Sequence, residues 1–360
     1  MKNLIHAIVP LAIIGVVGLS CGDVPQYAEP SRWHEVATLP GVFFEVRSVY
    51  AFNVDYVMVA GADCTAAGMP RAAVYEYRNG DIDRVFLSEY NDSRFYVSRF
   101  AAGLNWFAGD KETGAGAYRP YVVTSDFFSW EELSVPASIA ESSFYDVYGV
   151  RPDCVWFEGG SGIYLYTRPA WRKVFDLNNY EGGDLTVTEN GRAFLLVYTL
   201  GAPGWKMYVS DDEGASWAPE DIPRTYGVYS VKESDYPPLG PAGEGLYMAT
   251  RFTVPGDRFN PYAGILKRND APAGEGTYSL AFIAPHGPNF YSIRTLVFRS
   301  PDDGYALGPM TSAALKDGAW TLEQMPDMMP SFAAAAASDD YYWAVMEDAN
   351  GYPNGLWRTP

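Results

Sequence analysis

Cysteine and histidine are scarce in this 360-residue sequence, three of each, and that scarcity excludes two kinds of protein. A small exported fold stapled by disulfides needs a dense, even set of cysteines. Besides Cys21 only Cys64 and Cys154 remain, and with His6, His34 and His286 standing alone no zinc set can be assembled. No metal and no cofactor is expected. Basic charge is also short, with 26 Lys and Arg against 44 Asp and Glu, for a formal net charge of -18. Nucleic acids and anionic membrane surfaces are bound through basic patches, so neither is an expected partner of the folded body. A Gly-rich phosphate loop and a Gly-x-Ser-x-Gly nucleophile turn are missing as well. Long apolar runs are missing with one exception, Leu4 to Leu19.

That run follows Met1-Lys2-Asn3 and is broken by His6, Pro10 and two glycines. A charged start, an apolar core of this length and small residues at its end make an export signal rather than a membrane span. Gly18-Leu19-Ser20-Cys21 resembles the lipobox of bacterial lipoproteins, with Gly18 where that family has an aliphatic residue. The resemblance implies that residues 1–20 are removed and that Cys21 carries the lipid that holds the protein to the membrane. Residues 21–31, with Pro25 and Pro30, then form a tether. An ordinary cleaved signal is the competing reading. Gly22 after the cysteine implies the outer membrane, and the bacterial cell envelope is the expected location.

The rest of the chain repeats itself. Short strands ending in small residues recur at Tyr56–Gly61, Asn105–Gly109, Val155–Gly160, Phe194–Thr199, Gly245–Thr250, Gly304–Gly308 and Tyr341–Val345. β-branched or aromatic runs such as Val46–Phe52, Phe95–Ala101, Phe144–Val150 and Ile293–Arg299 come before them, and a third alternating strand follows each. A fourth strand then opens, usually on an aromatic: Trp130, Trp171, Trp217, Tyr278 or Trp320. A period of about 40 to 60 residues with four strands per unit is the blade of a β-propeller. The expected fold is therefore all-β, a single propeller of seven four-stranded blades over residues 32–360. The last repeat stops after its third strand, and Trp33 to Leu39 supplies the missing fourth by pairing with Leu356–Thr359. Such closure leaves no open seam between the first and last blades. Ala333–Ala337 is read as an innermost strand rather than a helix, because small side chains suit the crowded axis. Cys64 and Cys154 fall two blades apart and read as buried thiols.

One segment carries a named motif. Ser210-Asp211-Asp212-Glu213-Gly214-Ala215-Ser216-Trp217 resembles the Asp-box of the sialidase-like (BNR-repeat) propellers, with Ser216 in place of threonine. The functional parts are mechanical: Asp212 accepts from turn amides, Gly214 permits a positive φ, and Trp217 wedges between sheets. Ser210 and Ser216 complete the turn. Ser125-Asp126-Phe127-Phe128-Ser129-Trp130 is a degraded copy without the glycine. Asp302-Asp303-Gly304-Tyr305-Ala306-Leu307-Gly308 resembles a strand of propellers related to photosystem assembly factors. These resemblances imply a fold and little about activity.

A sialidase would carry an Arg-Ile-Pro segment near its first strands, and none occurs; Asp221-Ile222-Pro223-Arg224 has the wrong order. No catalytic residue can be assigned. The expected role is non-catalytic binding of a protein or an acidic glycan, with the lipid on Cys21 as the contact to the membrane. A carbohydrate-active propeller enzyme and a purely structural envelope component are the alternatives. The loops joining second to third strands share one face of a propeller, and several read as long: Ala62 to Arg71, Asp110 to Arg119, Leu200 to Gly204, Arg251 to Tyr262 and Glu347 to Asn354. They place Arg71, Lys111, Arg119, Arg251 and Arg258 there, beside Tyr118, Trp205, Phe252 and Tyr352. Arginines next to aromatic rings suit an anionic partner. The competing reading is that these cations merely neutralise Asp110, Glu112 and Asp257.

Overall fold

Apolar and polar residues alternate along strands too short to bury a face alone, so each sheet must cover its faces with its neighbours. In the computed structural model the strands do this as a ring of seven sheets. The structure describes residues 32–359 apart from 41–43, 64–68, 102, 140, 152, 200–203, 233–237, 244, 255–256, 285–292, 309–310, 325–330, 339 and 348–352. Cys21, Cys64 and Tyr352 lie outside the described residues, as does the side chain of Arg258.

Each blade is an antiparallel meander that runs outward from the axis. Blade one comprises Phe44–Asn53, Tyr56–Asp63, Arg71–Arg78 and Asp81–Leu87. Blade two begins with Ser93–Ala101, blade three with Phe144–Arg151, blade four with Tyr180–Val187, blade six with Thr295–Ser300 and blade seven with Ser331–Ala337. The alanine run is thus an inner strand, as the repeat required. Blade five adds to the plan: the inner edge of its Gly245–Val254 strand is covered in two pieces, by Leu239–Ala242 and by the hairpin Thr225–Tyr226/Tyr229–Lys232.

The ring closes through its ends. His34–Thr38 pairs antiparallel with Pro353–Thr359, in the register His34↔Arg358 to Thr38↔Gly355. Trp33 is buried between blades six and seven, edge-on to Tyr305 at 5.5 Å. The cores lie between sheets. Val57, Val59 and Tyr77 of blade one pack with Trp343, Val345 and Leu356 of blade seven, so the last blade interlocks with the first as well as completing its own sheet.

The strands read as ending at Gly61 and Gly109 run on to Asp63 and Glu112, and the small residue near their ends has a steric reason in blades one and two. A Cβ at Gly61 would meet the Glu45 carbonyl oxygen at 1.8 Å, and one at Gly109 the Arg94 oxygen at 1.9 Å. Both glycines face a bulge in the first strand, between Val46 and Ser48 and between Phe95 and Val97. The bulge turns the inner strand at the cost of backbone room that only glycine leaves. Cys154 is buried, and desolvation raises its thiol pKa to about 11, so it is an inert core residue.

Candidate functional site

The meander puts the first-to-second and third-to-fourth hairpins of every blade on one face. The second-to-third hairpins and the blade-to-blade connections lie on the other. On the second face the sequence placed a row of cations and rings, and the structure distributes them unequally. Arg71 is half-buried and its Nε donates to the Ser88 carbonyl at 2.7 Å, which ties the start of its strand to the end of the outer one. The Lys111 ammonium sits 3.7 Å from the Tyr90 ring centroid and pairs with Glu132. Tyr118 donates its hydroxyl to Asp92. Those three side chains are committed to holding the face together. Arg119 is exposed. Its hairpin is fixed by Thr113 N–H to Ala117 O at 2.8 Å and Gly116 N–H to Glu112 Oε1 at 2.7 Å.

Three expectations are corrected. Phe252 is wholly buried, packed against Tyr226 and Tyr229 of the additional hairpin, and belongs to the core. The segment from Arg251 to Tyr262, read as a loop, is mostly paired strand, since Gly245–Val254 and Asp257–Arg268 run on to a Val254↔Asp257 pair. The reach of Asp110 to Arg119 shortens likewise, because its strands extend to Glu112 and restart at Tyr118. Trp205 and Arg251 are half-buried on paired strands.

On the opposite face, the turn after Ser210 is built from its own side chains. Asp212 accepts from the Ser216 amide at 2.9 Å, the Ser216 hydroxyl at 2.6 Å and the Ser210 hydroxyl at 2.9 Å. The Ser210 oxygen in turn accepts from Gly214 N–H at 2.9 Å. Gly214 has φ +74°, and a Cβ there would lie 2.8 Å from Cβ of Val174 on the preceding blade. Trp217 donates its indole N–H to the Val174 carbonyl at 3.0 Å. The hydrogen bonds from Ser216 hold the Asp212 carboxyl below its ordinary pKa. In the shorter turn after Ser125, Asp126 accepts from Phe128 and Ser129 amides, and Phe127 takes the positive φ of 75° that glycine takes elsewhere.

The pocket that sequence reading missed lies on the ring axis. A cavity of about 430 Å³ is lined from the inner strands of all seven blades. Blades two to four contribute Arg99, Asp146, Tyr148 and Asp184. Blades five to seven contribute apolar groups, among them Leu239, Leu296, Phe298 and Ala336. Asp146 accepts from the Tyr148 hydroxyl and from Val147 N–H, each at 2.8 Å, and Arg99 lies 5.1 Å from the Tyr148 ring centroid. Asp184 accepts from Leu239 N–H at 3.0 Å, which links the neighbouring blades four and five beside the axis. Glu158, buried just behind, accepts from Leu185 N–H at 2.9 Å.

Electrostatics at this wall run against ionisation. Desolvation, with the charge of Asp146 added, raises the Asp184 pKa to about 8. Desolvation raises Asp146 too, though Arg99 and Tyr148 offset part of it. Glu158 is pushed well above the carboxylate range by burial and by both aspartates. Burial on this wall therefore favours the protonated carboxyl of Asp184 near neutral pH and opposes ionisation of Asp146 and Glu158, with the charge of Arg99 working the other way at Asp146. Among the described residues no group of three or more His, Cys, Asp or Glu is placed to hold a metal ion.

No family model matches the chain and no curated protein matches it. Solved structures do, at the level of fold. Sqt1 from Saccharomyces cerevisiae superposes with a TM-score of 0.53 at 10% identity, over 90% of this chain and 87% of that one. A GH74 xyloglucanase from Xanthomonas campestris gives 0.55 at 14% identity, over 91% of this chain and 53% of that one. Sqt1 from Chaetomium thermophilum, bound to the N-terminus of ribosomal protein L10, gives 0.50 at 10% identity, over 90% and 98%. The class is thereby set: a seven-bladed β-propeller.

Proposed function

We propose that this chain is an envelope lipoprotein, lipidated on Cys21, whose Asp-box propeller is a non-catalytic scaffold that captures a protein or an acidic glycan. In this reading residues 1–20 are the export signal and 21–31 the tether, with the propeller beginning at residue 32. The observation that carries the reading is the exposed Arg119 on a hairpin whose backbone is already fixed by internal hydrogen bonds. A guanidinium presented from a paired strand at the base of a preorganised hairpin loses little further backbone entropy on binding, and its planar fork matches carboxylate or sulfate oxygens. The complex of a propeller of similar fold with the N-terminus of a ribosomal protein supports a protein partner. The turn from Ser210 to Trp217, with the bonding an Asp-box uses, supports the superfamily.

The test has two parts. Cys21→Ala should move the protein from the membrane fraction to the soluble one; unchanged fractionation ends the anchoring reading. In detergent extracts of the envelope and on arrays of anionic glycans, the wild type should capture a partner that Arg119→Ala captures about fivefold or more weakly at unchanged melting temperature. Turnover of any glycan on the array would end the non-catalytic reading.

A further inference from the structure

The axial cavity has two unlike walls, and their charges do not balance. Among its lining residues Arg99 is the only basic side chain, and it already lies over the Tyr148 ring at 5.1 Å, with Asp146 a neighbouring charge. Asp184 stands beyond that pair, its Oδ2 satisfied by a single backbone N–H from Leu239. Elsewhere the lining is hydrocarbon and aromatic, with Leu296 and Phe298 of blade six. A carboxyl group partly withdrawn from water, with no cation in contact with it, keeps its proton to higher pH, at the expense of the attraction an ion pair would supply. A bound cation would replace that proton.

We propose that the cavity binds a small organic cation, an amine or guanidinium on an apolar stem, with its charge against Asp184 and Asp146 and its stem against Leu296 and Phe298. The cavity's volume of about 430 Å³ falls within the range of pre-formed small-molecule sites, which combine an apolar lining with a few convergent polar groups. The site goes beyond the loop face: it lies on the axis and uses none of the residues around Arg119. Binding is a proton exchange. The ammonium enters charged, the Asp184 carboxyl gives its proton to solvent, and an ion pair remains in the cavity. Since the Asp184 pKa is raised to about 8, the exchange favours the cation more strongly as pH rises towards that value. An anion meets the opposite balance, since Arg99 is already engaged with Tyr148 and any ionised Asp184 would repel it.

Isothermal titration of the mature chain with hexylammonium, hexanol and hexanoate tests the proposal. Hexylammonium should bind with net proton release at pH 7, read from buffers of different ionisation enthalpy. Its affinity should rise about tenfold from pH 6 to pH 7, the slope of one exchanged proton. Hexanol and hexanoate should bind at least about tenfold more weakly. Asp184→Asn, which imitates the neutral carboxyl, should lose the proton release and about tenfold or more in amine affinity. The pH slope and buffer dependence are measured on the wild type, so they decide the matter even if the variant folds poorly. Equal binding of hexanol, tighter binding of hexanoate, amine binding without proton release, or no binding of any probe would overturn it. Partner capture through Arg119 should be unchanged in Asp184→Asn, so the two readings fail separately.

Discussion

Arg268 on the third strand of blade five and Glu220 on the outer strand of blade four form a two-pronged ion pair, Nε to Oε2 at 2.8 Å and Nη2 to Oε1 at 2.6 Å. Both side chains are shut off from solvent, 0% and 1% exposed. Glu220 also accepts from the amides of Gly274 and Gly276 and from the Tyr278 hydroxyl, each at 3.0 Å, while Arg268 donates to the carbonyls of Asn269 and Ala271. The pair thus welds two blades and folds the 269–277 hairpin over the joint.

Removing one partner leaves the other buried and unpaired, which costs about 3–5 kcal/mol. Glu220→Ala is expected to lower stability by that amount in urea unfolding. The pair also has a pH signature. Burial pushes the Glu220 pKa up, but the hydrogen bonds and charge of Arg268 and the Gly276 amide outweigh it, and the net shift is downward. A carboxylate with a depressed folded pKa contributes stability that is present above its unfolded pKa and lost as pH falls through the folded one. Unfolding midpoints of the wild type should therefore drop below about pH 4.5, and Glu220→Gln should show a smaller drop.

Asp184 predicts the opposite slope. Its folded pKa, raised to about 8, means that the native state holds a proton the unfolded chain has released. Stability from this group is full below the unfolded pKa and declines as pH rises towards 8. Melting temperature should fall between pH 5 and 9, and Asp184→Asn should flatten the fall. A wild-type profile with no decline over that range would show that the axial wall is ionised at no cost.

The ring, its closure and the inner alanine strand were legible because they rest on features local in sequence: small residues ending second strands, aromatics opening fourth strands, and an unpaired strand at each end. The axial site was not legible, because bulges break the two-residue alternation in the first strands. Register shifts between Phe95 and Val97, Phe144 and Asp146, and Tyr180 and Gly183 precede Arg99, Asp146 and Asp184 along the chain or reach them. A one-residue shift moves a side chain to the other face, so no count of alternation alone could aim these three at the axis. Phe252 was misplaced for a related reason: the segments covering it, Thr225–Tyr226 and Tyr229–Lys232, are too short to stand out as strands.

The turn after Ser210 separates two effects. Asp212→Ala removes the acceptor for the Ser216 amide and hydroxyl, a loss of about 1–2 kcal/mol for a capping side chain at a turn. Gly214→Ala should cost more, because it adds the strain of φ +74° to a 2.8 Å approach against Val174 on the preceding blade. Differential scanning calorimetry ranks them; an Asp212 variant less stable than the Gly214 variant would place the weight on the carboxylate instead of the packing.

The closure predicts what happens when the N-terminal strand is removed. Deleting residues 32–39 strips Pro353–Thr359 of its partner, and the row of backbone groups exposed there is a template for pairing with another chain. It also removes Trp33, whose indole is 4% exposed, and so opens the joint between blades six and seven. Aggregation or a large drop in melting temperature is the expected outcome, read by size-exclusion chromatography and thermal unfolding. Trp33→Ala keeps the strand and removes only the plug, a loss of about 3–5 kcal/mol for a large buried aromatic. If the deletion costs no more than the point substitution, pairing with Pro353–Thr359 contributes little and the indole alone locks the ring. If the deletion is markedly worse and yields oligomers, the strand itself is the lock, because only an unpaired edge recruits a second chain.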